Sequence, residues 1–236
     1  MKRLLEIPWD KRAIFLERPN RFLGICQDPK TNEELKVHVR DPGRLRELLF
    51  KGNEVLLKRS QNQKRKTKWD LVAARSMGKW VLVNSGYHSA IASLIFNNQE
   101  ISPVGQVVSL KREVKVGKSR LDFLLFLEKG EKIYIEVKGC TLQKNGKALF
   151  PDAPTQRGRR HLLELADVLE NGFRSAVVFL IFCPQAECFD ANGQTDPSFY
   201  ETFYQVIEKG VEVYPICLEY KGSFVWYKKG IGLCMD

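Results

Sequence analysis

The sequence predicts an α/β protein (α+β overall) in two parts, an all-β module over residues 1–83 and an α/β domain over residues 84–236. Short apolar segments separated by turn residues dominate the first part. Strand and helix patterns alternate in the second part, which favours a sheet covered by helices. The pattern changes at Asn84-Ser85-Gly86, and we place the boundary there.

The first part has the pattern of a small barrel. One or two turns of helix are predicted at 44–50, between the second and third strands, because leucines recur there before Gly52. A five-stranded barrel that carries a helix is the OB pattern, whose open face and loops bind oligonucleotides. A purely structural barrel is the alternative. The predicted strands are 21–27, 35–40, 54–58, 69–75 and 80–83.

The second part begins with a predicted helix at 87–96, and its best-defined element is a helix at 157–169 that ends at Asn171-Gly172. Its first turn is basic, although a helix dipole favours negative charge at that end. A bound phosphate or salt bridges to carboxylates would each offset the charge. A further helix is predicted at 197–208, and strands are predicted at 107–114, 121–127, 133–138, 176–182 and 211–216.

The positive charge of the chain is confined to the first part. Residues 1–83 hold 20 Lys and Arg against 10 Asp and Glu, whereas the remaining residues hold 18 of each. Each Lys or Arg that neutralises a phosphate releases condensed counterions, so a confined surplus favours nucleic-acid binding over a merely solvated face. The surplus includes a dense run of basic residues between 58 and 68.

Composition and motifs limit the other classes of function. The six cysteines lack the close pairs of a zinc site and lie mostly in apolar runs, so we expect reduced, buried thiols. No apolar segment approaches ~20 residues and the first one stops at Glu6, so we expect a cytoplasmic protein without membrane contact. The chain has no phosphate-cradling Gly-rich loop and no dinucleotide fingerprint, which argues against ATP-driven or nicotinamide chemistry.

A metal-dependent phosphodiesterase needs clustered carboxylates for the metal and a cation that helps to position water. An acidic residue followed two places later by Lys supplies part of this, but the pattern alone is weak. Only Glu136/Lys138 follows an apolar strand, and alternation places both side chains on one face. The pattern occurs five times, at Asp28/Lys30, Glu34/Lys36, Glu113/Lys115, Glu136/Lys138 and Glu219/Lys221.

The preceding apolar run, 121–127, contains a single carboxylate, Asp122, which is costly to bury without a partner. A hairpin centred on Gly130 would place Asp122 opposite Lys138 and roughly 7 Å diagonally from Glu136, close enough for one cation to bridge the carboxylates. The alternative is an Asp122/Lys138 ion pair that only neutralises a buried acid. Glu113 is either a further ligand or a surface charge.

Five segments of the chain stand out as motifs, namely RPNRF (18–22), HVRDPGRL (38–45), SRLDF (119–123), IEVKGCTL (135–142) and FPDAPTQRGRRHL (150–162). Together they resemble the sugar fermentation stimulation protein A (SfsA) family of bacteria and archaea. The chain departs from many members in having VRDPG at 39–43 in place of CPNTG, and His88-Ser89 in place of Pro-Asn.

The resemblance implies an N-terminal OB-like domain, a C-terminal domain similar to PD-(D/E)XK nucleases, DNA binding and a role in sugar metabolism. Carried onto this chain, it implies that Asp122 and Glu136 are metal ligands, that Lys138 is the catalytic lysine, and that the Val137 carbonyl is a further ligand. The segment 150–161 would flank the site, and its Arg157 and Arg160 would contact phosphate.

The leading hypothesis is therefore a DNA-binding protein with Mg²⁺- or Mn²⁺-dependent nuclease activity, with RNA as the alternative polymer. A non-catalytic DNA-binding regulator of sugar (maltose) utilisation that retains the nuclease-like fold is the second hypothesis. The sequence leaves the oligomeric state open, a homodimer included. The predicted nucleic-acid contacts are Arg40, Arg44, Lys58, Arg59, Lys64, Arg65, Lys66, Lys68, Arg157 and Arg160.

Overall fold

The computed structural model describes residues 1–62, 64–117 and 119–235. Up to residue 83 the strands are β1 (Lys2–Glu6), β2 (Lys11–Asn20), β3 (Leu23–Gln27), β4 (Glu34–His38), β5 (Glu54–Arg59), β6 (Trp69–Ser76) and β7 (Lys79–Leu82). Beyond it come a 3-10 turn (Ser85–Tyr87), α1 (His88–Phe96), α2 (Gln156–Glu170) and α3 (Pro197–Glu208). The remaining strands are β8 (Val107–Val116), β9 (Ser119–Leu127), β10 (Lys132–Cys140), β11 (Leu142–Lys144), β12 (Lys147–Phe150), β13 (Arg174–Ile181), β14 (Cys188–Ala191), β15 (Glu212–Lys221), β16 (Phe224–Gly230) and β17 (Gly232–Leu233).

The predicted five-stranded barrel is confirmed, with one strand exchanged. It runs in the order β4-β3-β2-β5-β6 and closes where β4 pairs with β6 in parallel. Strand β2 is a member that the sequence did not predict, because its apolar run is only four residues long (13–16) and lies between two pairs of charged residues. The predicted strand at 80–83 corresponds to β7, which pairs with β6 and leads out of the barrel.

The prediction of a helix at 44–50 is wrong, because the segment forms only an isolated turn. The amides of Leu48 and Leu49 both donate to the Leu45 carbonyl, at 3.0 and 2.7 Å. Leu45 has a φ of 49°, in the left-handed region that a right-handed helix cannot use. The three leucines are buried as their spacing predicted, so they anchor a loop instead of a helix.

The second part is a sheet in which β10, β13 and β15 run parallel and β9 and β8 extend one edge in antiparallel order. Helix α2 packs against β10, β13 and α3, and their buried side chains form one core. The opposite face shares a second core with α1 and the barrel. In the described residues, no helix combines the length and the apolar composition needed to cross a bilayer.

The two parts share one continuous sheet. Strand β7 pairs with β15 at Trp80 and Tyr220, and β1 pairs with β16 at the other end of the chain. The Tyr220 hydroxyl donates to the Ile7 carbonyl at 2.6 Å, which joins both ends of the chain in the buried interior. The barrel is therefore held in a fixed position relative to the α/β part.

A second, four-stranded sheet has the order β11-β12-β14-β17 and corrects the prediction for the cysteines. The parallel pairing of β14 with β17 brings Cys188 and Cys234 to a Cα–Cα distance of 4.9 Å, and they form a disulfide. The expectation of reduced thiols is wrong for this pair, because a separation of 46 residues gave no sign of their proximity. The four free cysteines, Cys26, Cys140, Cys183 and Cys217, are buried as predicted.

Candidate active site

The carboxylates of Asp122 and Glu136 lie on adjacent strands, β9 and β10. The pairing of Ile135 with Phe123, continued by one residue, places Asp122 beside Glu136 and not opposite Lys138 as predicted. The hairpin is therefore shifted by two residues, which keeps all three side chains on the predicted face. The backbone amide of Val137 donates to Asp122 Oδ2 at 2.7 Å and fixes the carboxylate.

Glu136 is held by two basic side chains. Lys138 Nζ lies 2.5 Å from Glu136 Oε1, and His161 Nδ1 contacts the same oxygen. Glu136 and His161 are 3% and 2% exposed, so the contacts lie in a low-dielectric interior. We call Asp122, Glu136 and Lys138 the carboxylate–lysine cluster.

His161 is a member of the site that the sequence did not predict. It lies on the buried face of α2 together with Leu165 and Val168, at helical spacing. An imidazole among aliphatic positions of a core-facing stripe was the available sign, because a buried polar group needs a partner. That partner is Glu136, on the strand against which the helix packs.

The two carboxylates have opposite pKa shifts. Burial, together with the neighbouring charge of Glu136, raises the pKa of Asp122 to about 6. Burial opposes ionisation of Glu136 as well, but the contacts with His161 and Lys138 outweigh it and lower the pKa of that carboxyl. Glu136 is thus a permanent anion at neutral pH, whereas Asp122 is poised to respond to an added cation.

The ionised state of Glu136 fixes the tautomer of His161. A carboxylate only accepts hydrogen bonds, so Nδ1 of His161 carries the ring proton and donates a hydrogen bond to Glu136 Oε1. Lys138 Nζ, 3.4 Å from the same nitrogen, then makes a close approach and no hydrogen bond to it. Glu136 Oε2 and His161 Nε2 are buried without a partner among the described residues.

The donor set fits a hard divalent cation with few protein ligands. Glu136 Oε2 is an orphaned buried oxygen, and Asp122 and Val137, which line the same cleft, offer a carboxylate and a backbone carbonyl as further oxygen donors. The described residues contain no cluster of three or more carboxylate, imidazole or thiol groups placed to hold a metal. Such a sparse oxygen set suits Mg²⁺, which keeps several waters and takes substrate phosphate oxygens as ligands.

The carboxylate–lysine cluster opens into a cleft of about 940 Å³ between the barrel and the α/β part. Residues 136–142 and 149–158 form one wall, and the barrel contributes Arg18, Asn20, Arg21 and the loop 41–46, which we call the barrel loop. Two of the predicted nucleic-acid contacts, Arg44 and Arg157, line this cleft. Arg21 and Arg46 line it as well and were not predicted.

Arg18 fixes the barrel loop through hydrogen bonds to its backbone carbonyls. Its guanidinium donates to the carbonyls of Gly43 and Arg44, both at 2.7 Å, and to those of Arg21 and Asp41, at 2.7 and 2.8 Å. Four carbonyls are thus gathered by one side chain, and a guanidinium has the planar set of donors that this requires. Arg18 lines the cleft, but its guanidinium is occupied by these carbonyls, so its role is to hold the barrel loop.

The loop is also attached to the opposite wall. The Leu45 amide donates to Asp152 Oδ2 at 2.9 Å, which links the barrel to the segment that follows β12. A Cβ on Gly43 would lie 2.7 Å from the same oxygen, so the close approach depends on glycine at that position. The cleft is consequently closed at this junction.

Asp41 lies within the junction, and its replacement by Asn is expected to raise the melting temperature at neutral pH. Burial and the nearby Asp152 raise the pKa of Asp41 to about 6 from its ordinary 3.8. The stability associated with this group is therefore present below the unfolded-state pKa and is lost as the pH rises through the folded-state value. Asp41→Asn removes that loss and keeps the oxygen that accepts from the Gly43 amide.

The measurement is thermal unfolding of both proteins between about pH 4 and pH 8. The variant should melt a few degrees higher at the upper end, since about 1 kcal/mol corresponds to roughly 2–4 °C in a chain of this size. The difference should shrink toward zero at the lower end, where wild-type Asp41 is protonated. A difference that is constant with pH would contradict the assignment.

His88 also lines the cleft, beside β10. Its ring stacks on Phe182 at 5.3 Å, and a Cβ on Gly139 would lie 2.1 Å from its Cε1 atom. Burial lowers the pKa of His88 to about 4, so the imidazole is neutral at physiological pH. His88 thus contributes an uncharged ring to the wall of the cleft. Its close approach to β10 requires glycine at position 139, because any side chain there would collide with the ring.

The other eight predicted nucleic-acid contacts lie outside the cleft. Arg65 and Arg40 both pair with Asp70, at 2.9 and 3.7 Å, so their charge is partly offset within the barrel. Arg160 donates to Ser119 Oγ at 3.1 Å. The residues that do not line the cleft are Arg40, Lys58, Arg59, Lys64, Arg65, Lys66, Lys68 and Arg160.

The basic start of α2 has no carboxylate partner in the described part of the chain. Thr155 caps the helix by accepting from the Gly158 amide at 3.0 Å. Arg157, Arg159 and Arg160 make no ion pair with any described residue. Of the two ways to offset their charge that the sequence left open, salt bridges are therefore absent from the described contacts.

Comparison with known proteins gives matches along almost the whole chain. The SfsA N-terminal OB domain matches residues 16–83, and the sugar fermentation stimulation protein RE domain matches residues 86–223. The sugar fermentation stimulation protein homolog of Methanococcoides burtonii is 44% identical, with 99% of this chain and 96% of the relative covered. The homolog of Thermotoga neapolitana is 43% identical, with 98% and 99% covered.

A solved structure has the same architecture. The structure of Pyrococcus furiosus SfsA in complex with Ca²⁺ is similar over 100% of both chains, with a TM-score of 0.89 and 28% sequence identity. The predicted fold class is confirmed in its OB-like barrel and in the α/β domain that follows it. The chain belongs to the sugar fermentation stimulation protein (SfsA) family.

Proposed function

We propose that this protein is a divalent-metal-dependent nuclease that hydrolyses phosphodiester bonds of DNA or RNA. The observation that carries the proposal is the carboxylate–lysine cluster, in which two carboxylates from adjacent strands and an ammonium open into one cleft. A structural ion pair would need only one acid, whereas here the second acid raises the pKa of the first. Close carboxylates with a cationic neighbour are typical of metal-assisted phosphoryl chemistry.

Asp122, Glu136 and the Val137 carbonyl are the proposed ligands of Mg²⁺ or Mn²⁺. The P. furiosus relative, whose structure was solved with Ca²⁺, supports a hard divalent cation in this fold. When bound, the metal supplies Lewis-acid stabilisation of the charge that develops on the phosphate and lowers the pKa of a water.

The protein's own side chains have separate roles in the proposal. Lys138 carries three N–H donors, of which one is engaged by Glu136, so the others are free to hold a water or a phosphate oxygen. Arg44 and Arg157 lie on opposite walls and make no ion pair with described residues, so in the proposal they hold the flanking phosphates. Each guanidinium offers the planar pair of donors that phosphate accepts.

Residues 1–83 are the proposed nucleic-acid-binding unit and residues 84–236 the catalytic unit. The excess of positive charge lies in the first unit, and its exposed lysines Lys64, Lys66 and Lys68 form a second basic surface outside the cleft. A long polymer would contact both the cleft and this lysine surface. Contacts of Lys and Arg with phosphates make the binding affinity fall as the salt concentration rises.

The test is cleavage of single- and double-stranded DNA and RNA by the purified full-length protein. With Mg²⁺ or Mn²⁺ we expect products with hydrolysed phosphodiester bonds, and with a chelator we expect none. Cleavage that is equally fast in the chelator would contradict the metal assignment. Binding of DNA without cleavage in any metal would contradict the enzyme and favour a DNA-binding regulator, for which the relatives' name indicates a link to sugar use.

A further inference from the structure

We infer that the substrate is a single-stranded nucleic acid whose base stacks on Phe22, the chain neighbour of the cleft-lining Arg21. The inference rests on the proposed function and names its substrate class. Phe22 follows Arg21, which lines the cleft, and it is 54% exposed. Exposed single aromatics are common on protein surfaces, so the inference depends on how this one is held and on what lies beside it.

Phe22 belongs to a turn that is rigidly fixed. The Phe22 amide donates to Asn20 Oδ1 at 2.9 Å, and the Phe22 carbonyl accepts from the Val39 amide at 3.0 Å, so both backbone groups are held in place. The carbonyl of the neighbouring Arg21 is held by Arg18. An aromatic ring on such a turn loses little conformational freedom when a ligand stacks on it.

One side of the ring is already supported. His38 stacks against Phe22 with ring centroids 6.5 Å apart and planes 29° from parallel, and His38 Nδ1 lies 3.1 Å from the Phe22 carbonyl oxygen. The pair forms a short stack that ends at an exposed phenyl ring. A nucleobase would extend this stack by one member, as in proteins that bind single strands on aromatic platforms.

Free cations continue from this platform into the cleft. Arg21, Arg44 and Arg46 are exposed, line the cleft and make no ion pair with described residues. All three belong to the barrel wall of the cleft into which the carboxylate–lysine cluster opens. Alternating aromatic and basic contacts suit a strand whose bases and phosphates are both accessible.

A duplex is a poorer fit for two reasons. Its bases are already stacked on one another and hidden inside the helix, so none can stack on Phe22 without being unpaired. The barrel loop is tied to both walls by Arg18 and Asp152, and the cleft of about 940 Å³ lies within the ~300–1,000 Å³ of sites that enclose small ligands. A few nucleotides of one strand fill such a space.

The experiment measures binding separately from cleavage. Fluorescein-labelled single-stranded DNA, single-stranded RNA and blunt duplex DNA of about 12 nucleotides are titrated with full-length protein in EDTA, and anisotropy gives each Kd. We expect either single strand to bind at least about tenfold more tightly than the duplex. Comparison of the DNA and RNA strands identifies the preferred sugar, and either preference supports the inference.

Phe22→Ala provides the specific variant, and Phe50→Ala provides a matched control. Phe50 is 51% exposed and, like Phe22, directly follows a residue that lines the cleft, but its ring has no aromatic or cationic partner among the described residues, whereas Phe22 stacks on His38. Phe22→Ala is expected to weaken single-strand binding about tenfold and leave duplex binding unchanged, whereas Phe50→Ala changes neither. Unfolding curves of both variants confirm that the barrel is intact.

Duplex binding as tight as that of single strands, or equal effects of Phe22→Ala and Phe50→Ala, would overturn the inference. Failure of the proposed function gives a different result. Single-strand binding in EDTA that depends on Phe22, without cleavage in Mg²⁺ or Mn²⁺, would refute the nuclease and leave the binding site standing. Metal-dependent cleavage without a preference for single strands would do the reverse.

Discussion

Asp122→Asn is expected to lower the rate of metal-dependent cleavage by about three orders of magnitude, and Lys138→Ala by a similar factor. Asn keeps the Oδ oxygen that accepts from the Val137 amide, so the local hairpin is preserved while the negative charge is lost. Lys138→Ala removes the ammonium that contacts Glu136. Both changes act on the groups that are proposed to stabilise charge in the transition state.

The two variants separate metal binding from catalysis. Single-turnover cleavage measures the chemical step, and the rise of the melting temperature on addition of Mn²⁺ measures binding of the metal to the folded state. We expect Asp122→Asn to lose both, whereas Lys138→Ala loses cleavage and keeps the thermal shift.

Asp167→Asn is the matched control, because Asp167 is an exposed carboxylate on α2 that does not line the cleft. It should cleave and respond to the metal as the wild type does. Full activity of Asp122→Asn would remove the basis of the proposed metal site.

The sequence was sufficient to identify the face of the sheet that carries the candidate site. Alternation along two apolar strands placed Asp122, Glu136 and Lys138 on one side, and an error of two residues in the register left that result unchanged because the side-chain period is also two. The same error exchanged the neighbours of Asp122. Turn geometry sets the register of a hairpin, and a polar turn with a single Gly did not specify it.

His161 and the walls of the cleft required tertiary structure. The pairing of His161 with Glu136 joins a helix to a strand 25 residues away in the sequence, and a local sequence pattern cannot predict contacts at that separation. The cleft depends on the barrel loop being held by Arg18 and Asp152, contacts that span up to 107 residues. Long-range polar contacts of this kind leave only the trace that a polar residue occupies a core-facing position.

Some missed elements did have local signals. The hairpin of β11 and β12 turns at Asn145-Gly146, with φ of 51° and 78°, and Asn-Gly between short strands is the strongest short hairpin pattern. Strand β1 gave no such signal, because it is stabilised by pairing with β16 more than 200 residues later. Its five residues alone would not distinguish a strand from a loop.

His161→Leu is expected to lower cleavage by about 10–100-fold, the range typical of residues that orient a metal ligand from behind. Leu fills a comparable volume in the core of α2 but cannot donate to Glu136 Oε1. His161→Asn offers an amide N–H near the position of Nδ1 and should recover part of the activity. Recovery by Asn separates the lost hydrogen bond from a packing defect, which Asn would make worse.

The pH dependence of metal binding distinguishes this role further. The contact with His161 is the largest of those that lower the pKa of Glu136 against the effect of burial. Without it, the carboxyl pKa rises, and protonation competes with the metal at a higher pH than in the wild type. Mn²⁺ affinity of His161→Leu should therefore fall off earlier as the pH is lowered, while His161→Asn stays closer to wild type. Coincident pH profiles for the three proteins would mean that His161 supports only the packing of α2, and the orientation of Glu136 would then have to come from Lys138 alone.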